Sequence, residues 1–237
     1  MCGIFGIFAR TIDPTAFQAL GELNTARGNR AFGVLLFDGA VCTVTRRVGP
    51  FDASAEDVSH GSVLLGHVRA PTDGHADDPA AVHPFETRDV YLAHNGLLLN
   101  HGDFAHWRIP SMAALDSTVI AGGIQRQLDN GRSIVEAIRQ TVEPLDGQQA
   151  CWLWHKPTHS VYLWRVMAPI YWLSEAAAST FSSVRQAPTA ALLREGIIYR
   201  IDPGTRTLDQ CGTFSYHNPF SAGMPTARLV PPHGNRP

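Results

Sequence analysis

The sequence predicts an α+β fold in which two antiparallel β-sheets are covered by layers of helices. Three observations lead to this fold class. Strand patterns outnumber helical patterns, short turns join neighbouring strands, and a pair of helices separates two groups of strands. A parallel sheet would instead need strands and helices that alternate along the chain.

The first half of the chain predicts a strand, a helix and a hairpin. An apolar run predicts the strand at residues 4–8, and Asp13 with Pro14 supplies the start of the helix. The apolar residues of this helix share one face: Ala16, Leu20 and Leu23. A hairpin follows, because Asp38-Gly39 favours the backbone of a tight turn. The strands that it joins are predicted at residues 32–37 and 41–45.

The rest of the chain predicts five more strands and two helices. The strands are expected at residues 62–68, 90–93, 149–154, 160–165 and 197–201. One helix follows Asp116 and the other follows Gly131, since apolar residues recur three and four positions apart after each. Four aromatic residues alternate along two of the strands, which packing in a core explains better than stacking on nucleic-acid bases. They are Trp152, Trp154, Tyr162 and Trp164.

Length and composition predict one folded domain with a tail. Of the 237 residues, 44% are hydrophobic and 17% are charged, which is enough apolar material for a sizeable core. We expect the domain to span residues 2–210. Residues 218–237 hold five prolines and no apolar periodicity, which predicts a Pro-rich C-terminal tail.

The charge balance excludes several classes of partner. The 19 Lys and Arg residues are matched by 21 Asp and Glu, so there is no basic excess to hold nucleic acid or an anionic membrane. The apolar run at the amino terminus is too short for a signal peptide or a membrane span. Four cysteines without a CxxC pair are typical of a reducing compartment, and we expect a cytoplasmic protein.

The histidines do not predict a metal centre. His67, His83, His94 and His101 fall among strand ends and loops, without the paired spacing of metal ligands. We therefore expect no metal, and no pattern in the sequence indicates a cofactor.

Cys2 is the residue that most directly suggests chemistry. Removal of Met1 would leave a free α-amine on Cys2 beside its own thiol. Their ordinary pKa values, about 7.7–8.0 and about 8.5, are closely matched, so the amine can take the thiol proton near neutral pH. Taken alone, Cys2 is more simply an ordinary second residue of the chain that starts a buried strand.

Four segments in a fixed order resemble one known family. They are MCGIFGIF at the amino terminus, GHVRAPTDG at 66–74, HPFETRDVYLAHNGLLLN at 83–100 and LDSTVIA at 115–121. Together they resemble the glutaminase domain of class II glutamine amidotransferases, and most of all its amidophosphoribosyltransferase and glucosamine-6-phosphate synthase branches. The similarity continues through RGNRAFGV at 27–34 and, more weakly, through STFSS, and it covers about residues 2–205. It implies a four-layer αββα N-terminal nucleophile hydrolase sandwich.

The resemblance also implies the roles of individual residues. Cys2 would attack the side-chain amide of glutamine, release ammonia and form a thioester that water then hydrolyses. Asn95 and Gly96 would form the oxyanion hole. The substrate-binding set would be Arg69 for the α-carboxylate, Thr72 as a nearby donor, Asp116 for the α-ammonium group, and Arg27 in the RG motif.

Each of these residues also has a simpler explanation when it is taken alone. An Asn-Gly pair such as Asn95-Gly96 is usually a turn. Arg69 can be a surface arginine after a strand, and Asp116 can cap the helix that follows it.

Three features depart from the family pattern. Ala70 stands where the family has an aromatic residue, so one wall of a glutamine pocket would be missing. Arg30 stands where the family has an aspartate, which reverses a charge near the amino terminus. Residues 75–82, with Asp77-Asp78, look inserted into a loop that often closes over glutamine, and they predict a lid of altered length.

Family members commonly fuse this domain to a synthase, whereas only the predicted tail follows it here. The resemblance therefore implies that glutamine-derived ammonia reaches a synthase on a separate chain. Two other functions stay open. An N-terminal nucleophile amidohydrolase for another small amide would use Cys2 in the same way but would not need Arg69 and Asp116. A non-catalytic regulatory module would keep the fold without the activity, and a retained Met1 would favour it.

Overall fold

A computed structural model of the chain describes residues 2–70, 78–109, 111 and 113–218. In these residues two antiparallel sheets lie face to face and helices cover their outer surfaces, which confirms the predicted α+β sandwich. Thr72 lies outside the described residues, as do 75–77 of the predicted lid and all of the predicted tail except Asn218.

The described residues form thirteen strands and three α-helices. The strands are β1 (Gly3–Ala9), β2 (Ala31–Phe37), β3 (Cys42–Val48), β4 (Val63–Arg69), β5 (Phe85–Glu86), β6 (Val90–Leu98), β7 (Gly147–His155), β8 (Ser160–Val166), β9 (Tyr171–Ser174), β10 (Ala178–Ser182), β11 (Ala191–Leu192), β12 (Ile197–Asp202) and β13 (Thr207–Thr213). The helices are α1 (Pro14–Thr25), α2 (Asp116–Asp129) and α3 (Ile134–Val142).

The strand order places β1 in the interior of its sheet. The first sheet has the order β11-β9-β10-β1-β4-β2-β3, and the second has the order β13-β12-β8-β7-β6-β5. Strand β1 therefore pairs with β4 on one side and β10 on the other, and it packs against β6 and β7 of the second sheet. Cys2, which directly precedes β1, is consequently close to elements from distant parts of the chain.

Three hydrophobic clusters separate the layers. Phe17 and Leu20 of α1 cover the outer face of the first sheet, while α2 and α3 cover the outer face of the second. The middle cluster lies between the sheets and contains Trp152 and Trp154. The indole of Trp152 also donates to the Gly66 carbonyl oxygen of the opposite sheet, at 3.0 Å. The four strand aromatics are thus core residues, as predicted.

The predicted Asp38-Gly39 hairpin is confirmed. Strands β2 and β3 pair in register, with Phe37 opposite Cys42. The Asp38 carboxylate accepts the N–H groups of Ala40 and Val41 at 2.8 and 2.7 Å, and Gly39 has a φ of 102°. Glycine supplies that positive φ without steric cost.

The structure corrects three predictions of local detail. Ala16 is exposed, because the helical period places Phe17 and not Ala16 on the buried face of α1. Strand β6 does not end at residue 93 but runs through Asn95 and Gly96 to Leu98. The last strand continues to Thr213, three residues beyond the predicted end of the domain at 210.

Within the described part of the chain, no helix is both long and apolar enough to cross a membrane. The cytoplasmic location stays a prediction.

Candidate functional site

The amino terminus of β1 meets the end of β4. Gly3 pairs with Val68, so Cys2 lies beside the last residues of β4. The Cys2 thiol donates to the Ala70 carbonyl oxygen at 3.3 Å, and the Arg27 side chain donates through Nε to the Cys2 carbonyl oxygen at 2.8 Å. The structure therefore holds both the side chain and the backbone of Cys2.

The surroundings of Cys2 keep its thiol protonated. Burial raises the pKa of the Cys2 thiol above its usual value. The Arg69 guanidinium acts on this pKa in the opposite direction, and the Asp116 carboxylate raises it further. A nucleophilic role for Cys2 thus needs a base close by.

Arg69 faces the interior of the sandwich. Val63 and Leu65 of β4 pack between the sheets, and the alternation of a strand places His67 and Arg69 on the same face. Arg69 is only 3% exposed, and its carbonyl oxygen accepts the Arg30 N–H at 2.9 Å. It is therefore not the surface arginine that the simpler explanation requires.

Asn95 and Gly96 lie inside a strand and not in a turn. They pair with Ala150 and Gln149 of β7. A Cβ at Gly96 would overlap the Gln148 carbonyl oxygen and would lie 2.6 Å from Nε2 of His94, so the close approach of these groups requires glycine here. Asn95 is fully buried, which makes a role as an ordinary surface turn residue untenable.

Asp116 is the first residue of α2, while Leu115 occupies the cap position. One carboxylate oxygen accepts the Ser117 N–H at 2.7 Å, and the other accepts the Leu98 N–H at 3.0 Å. The carboxylate therefore connects the start of α2 to the end of β6. A helix N-terminus also favours a negative charge.

His94 makes a second connection between α2 and the sheet. Its Nδ1 lies 2.9 Å from Ser117 Oγ and its Nε2 lies 3.1 Å from the Gln148 carbonyl oxygen. His94 thus links α2 to β7, and the sequence did not indicate these contacts.

Arg27, Arg30 and the predicted lid are the remaining features that the sequence singled out. Arg27 is half-buried and contacts the Cys2 backbone, so its described contact is with the expected nucleophile. The Arg30 side chain is exposed. At the end of the predicted lid, Pro79–Ala81 forms one turn of 3-10 helix, and Ala81 is buried in the outer core of the second sheet.

Sequence reasoning missed Ser183 and did not predict that His67 and His83 lie against each other. Ser183 bonds to both Asn95 and Ile4, and its only sequence signal was the weakly similar STFSS segment.

His67 and His83 stack with ring centroids 4.1 Å apart. Burial, the larger cause, and neighbouring positive charge lower the pKa of His67 to about 3. Among the described residues, no group of three or more histidine, cysteine or acidic side chains is arranged to hold a metal ion.

A comparison of the amino-acid sequence with those of known proteins identifies related proteins. Over 158 residues, 62% of this chain, it is 30% identical to glutamine–fructose-6-phosphate aminotransferase (isomerizing) of Vibrio parahaemolyticus. Over 172 residues, 64% of this chain, it is 30% identical to amidophosphoribosyltransferase of Escherichia coli. The matches cover 25% and 34% of those proteins, so this chain spans only a minor part of their length. No family model matches the sequence.

Solved structures share the fold. Glutamine phosphoribosylpyrophosphate amidotransferase of Bacillus subtilis superposes with a TM-score of 0.69 at 20% identity, over 90% of this chain and 50% of that one. A glutamine aminotransferase class-II domain protein of Silicibacter pomeroyi superposes with a TM-score of 0.62 at 14% identity, over 90% of this chain and 99% of that one.

Proposed function

We propose that this chain is a class II glutamine amidotransferase domain of the N-terminal nucleophile type, which hydrolyses L-glutamine to glutamate and ammonia. The ordered motifs, the sequence relatives and the shared fold support this proposal. Cys2 is the nucleophile in this proposal, after Met1 has been removed. The nitrogen that leaves is the side-chain amide nitrogen of glutamine.

The observation that carries the proposal is the pair of opposite charges around Cys2. Arg69 ends the strand that lies beside Cys2, Asp116 begins α2, and both side chains are buried. They act on the pKa of the Cys2 thiol in opposite directions. Free glutamine carries an α-carboxylate and an α-ammonium group, and one cation and one anion are the complement of that pair. An uncharged amide has no groups that would pair with these two side chains, so the pair favours an amino-acid substrate.

The chemistry follows from the position of the thiol. The α-amine of processed Cys2 takes the thiol proton, and the thiolate attacks the amide carbon of the substrate. The carbon–nitrogen bond then breaks, the proton passes to the nitrogen, and ammonia leaves a thioester behind. Water adds to the thioester, the carbon–sulfur bond breaks, and glutamate leaves while the thiol regains its proton.

The tetrahedral oxyanion of both steps needs hydrogen-bond donors. We assign this role to the Asn95 side chain and the Gly96 backbone N–H. Asn95 is linked through Ser183 to Ile4, two residues from the nucleophile. Loss of one such donor typically raises the barrier by about 2.7–4 kcal/mol.

Steady-state kinetics with matched cysteine variants test the proposal. We expect purified protein to lack Met1 by intact mass and to release glutamate from glutamine. Cys2→Ala should abolish the release, whereas Cys211→Ala, which changes an exposed cysteine, should leave it within about twofold. Processed protein that hydrolyses a different amide but not glutamine would support the amidohydrolase instead. Protein that retains Met1 and turns over nothing would support the regulatory module.

We further propose that the ammonia is passed to a synthase on a separate chain. The matches to the two sequence relatives cover 25% and 34% of their length, and the described residues of this chain form one sandwich that carries the proposed glutamine site. If this is so, glutamate release by the isolated chain should be slow and should rise at least tenfold when the acceptor enzyme and its substrate are added from a fractionated extract of the source organism. Rapid uncoupled hydrolysis, with no complex detectable in that extract, would contradict the proposal.

A further inference from the structure

The carboxamide of Asn95 has an incomplete set of hydrogen bonds. Its Nδ2 donates to Ser183 Oγ at 3.2 Å. Its Oδ1 is buried, and no other described residue gives it a hydrogen bond. Buried carbonyl groups in proteins nearly always have a hydrogen-bond partner, so the unpaired Asn95 Oδ1 needs an explanation.

Ser183 is fixed independently of Asn95. Its N–H donates to the Ile4 carbonyl oxygen at 2.8 Å, and its Oγ accepts the Ile4 N–H at 3.1 Å. With the Asn95 amide as a second donor, the Ser183 oxygen accepts two N–H groups. Its own hydroxyl hydrogen then has no acceptor among the hydrogen bonds of the described residues.

Rotating the Asn95 carboxamide by half a turn exchanges the positions of Oδ1 and Nδ2. In this orientation fewer of the polar groups lack a hydrogen-bond partner. The Ser183 hydroxyl then donates to Asn95 Oδ1 across the same 3.2 Å and still accepts the Ile4 N–H. Before the exchange, the unpaired groups are the carbonyl oxygen, the hydroxyl hydrogen and one amide hydrogen. After it, they are the two hydrogens of Nδ2 alone.

We infer that Ser183 is a positioning residue that fixes Asn95 with its Nδ2, and not its carbonyl oxygen, free to donate to the oxyanion. The inference rests on the proposed function. An oxyanion hole needs a donor that is already oriented, and a carbonyl oxygen in that place would repel the developing charge. Because Ser183 is anchored to Ile4, the same hydroxyl also keeps this donor in register with β1, the strand that directly follows Cys2.

The neighbouring residue supplies a matched control. Ser182 is as buried as Ser183, and its Oγ accepts Nδ2 of Asn24, at 2.9 Å, on the side of the sheet covered by α1. The two serines thus make the same kind of contact on opposite faces of the sheet. Only Ser183 contacts a proposed catalytic group.

Kinetics separate positioning from general support of the fold. We expect Ser183→Ala to lower kcat for glutamine by about 10- to 100-fold while KM changes less than about threefold, since the donor is mispositioned but not removed. Ser182→Ala should leave kcat within about threefold, and Ser183→Thr, which keeps the hydroxyl, should recover most of the loss. A Ser183→Ala variant with normal kcat and raised KM would overturn the inference.

A double-mutant cycle adds a second criterion. If Ser183 acts through Asn95, Ser183→Ala should cause no further loss of kcat in an Asn95→Ala background. Fully additive losses would contradict the inference.

An NMR measurement decides the orientation without any turnover. In folded protein, the Asn95 side-chain amide protons should show no strong NOE to the β-protons of Ser183, because Nδ2 points away from them. A strong NOE would overturn the inference. If the protein fails to hydrolyse glutamine while the NOE is absent, the proposed function fails and the orientation of Asn95 stands.

Discussion

At the scale of single residues, Arg69 should decide how well glutamine is bound. Arginine grips a carboxylate with two parallel hydrogen bonds, and lysine keeps the charge without that geometry. We expect Arg69→Lys to lower kcat/KM for glutamine by about 10- to 100-fold, mostly through KM. Steady-state kinetics measure this change.

The control for this prediction is Arg30→Lys, which changes an exposed arginine whose backbone is bonded to Arg69. It should leave kcat/KM within about twofold. The rate at which Cys2 reacts with uncharged iodoacetamide should change little in either variant. An Arg69→Lys protein with wild-type KM would show that Arg69 does not bind the substrate carboxylate.

The candidate site residues that follow from the sequence lie in ordered motifs, and their catalytic and binding roles stay predictions. Cys2, Arg69, Asn95 and Asp116 each had a simpler explanation, and only the order of four segments favoured the catalytic one. Ser183 could not be found in this way, because its partner lies 88 positions away and serine is common on surfaces. A contact of that kind depends on the fold and not on local spacing.

At the scale of elements, strand β6 positions Asn95 and Gly96, the proposed oxyanion residues, more rigidly than a turn would. The sequence predicted a strand that ended at residue 93, since Asn-Gly usually turns the chain. Here β7 pairs with both residues and overrides that local preference. The short strands β5 and β11 were not predicted because two residues carry no periodicity.

Gly96→Ala tests this rigid placement. The new Cβ would overlap the Gln148 carbonyl oxygen of β7 and crowd His94. We expect a loss of about 1–3 kcal/mol in the free energy of unfolding, measured with urea, and a loss of at least about 100-fold in kcat.

Gly102→Ala is the matched control, because a Cβ at Gly102 would meet no atom within 4 Å. It should retain the activity and the unfolding midpoint of the wild type. A Gly96→Ala variant that behaves in the same way would mean that the β6–β7 approach does not constrain the site.

At the scale of the whole molecule, the sandwich depends on contacts between distant parts of the chain that the sequence does not indicate. The class of fold followed from hairpins and helix spacing, but the pairing of β1 with β10 did not. Phe5 pairs with Ser182 of the same sheet, far along the chain, and no local pattern indicates such a pairing. The stacked pair of His67 and His83 is equally non-local.

These histidines should make the folded protein sensitive to acid. Burial is the first cause that lowers the pKa of both rings, and His94 and Arg69 lower both further. His67 and Arg46 also lower the pKa of His83. The unfolded chain binds protons near pH 6.5 while the folded rings do not. Stability is therefore fully present above about pH 6.5 and is lost as the pH falls toward 3, by up to about 1.4 kcal/mol per pH unit for each ring.

Urea unfolding between pH 7.5 and about pH 5 measures this dependence. We expect a His67→Gln, His83→Gln double variant to show a flatter dependence of the unfolding free energy on pH than the wild type. His60→Gln removes an exposed histidine and should leave the slope unchanged. Equal slopes in all three proteins would show that the buried pair does not govern acid stability.

The central claim is that Cys2 is a glutamine-directed nucleophile, and covalent labelling tests it most directly. Protein incubated with a glutamine analogue that carries an electrophile in place of the amide should gain a single adduct by intact mass. Peptide mapping should place the adduct on a Cys2 that has lost Met1, and free glutamine should protect it. Processed protein that gains no adduct, or adducts spread over Cys42 and Cys211, would contradict the claim.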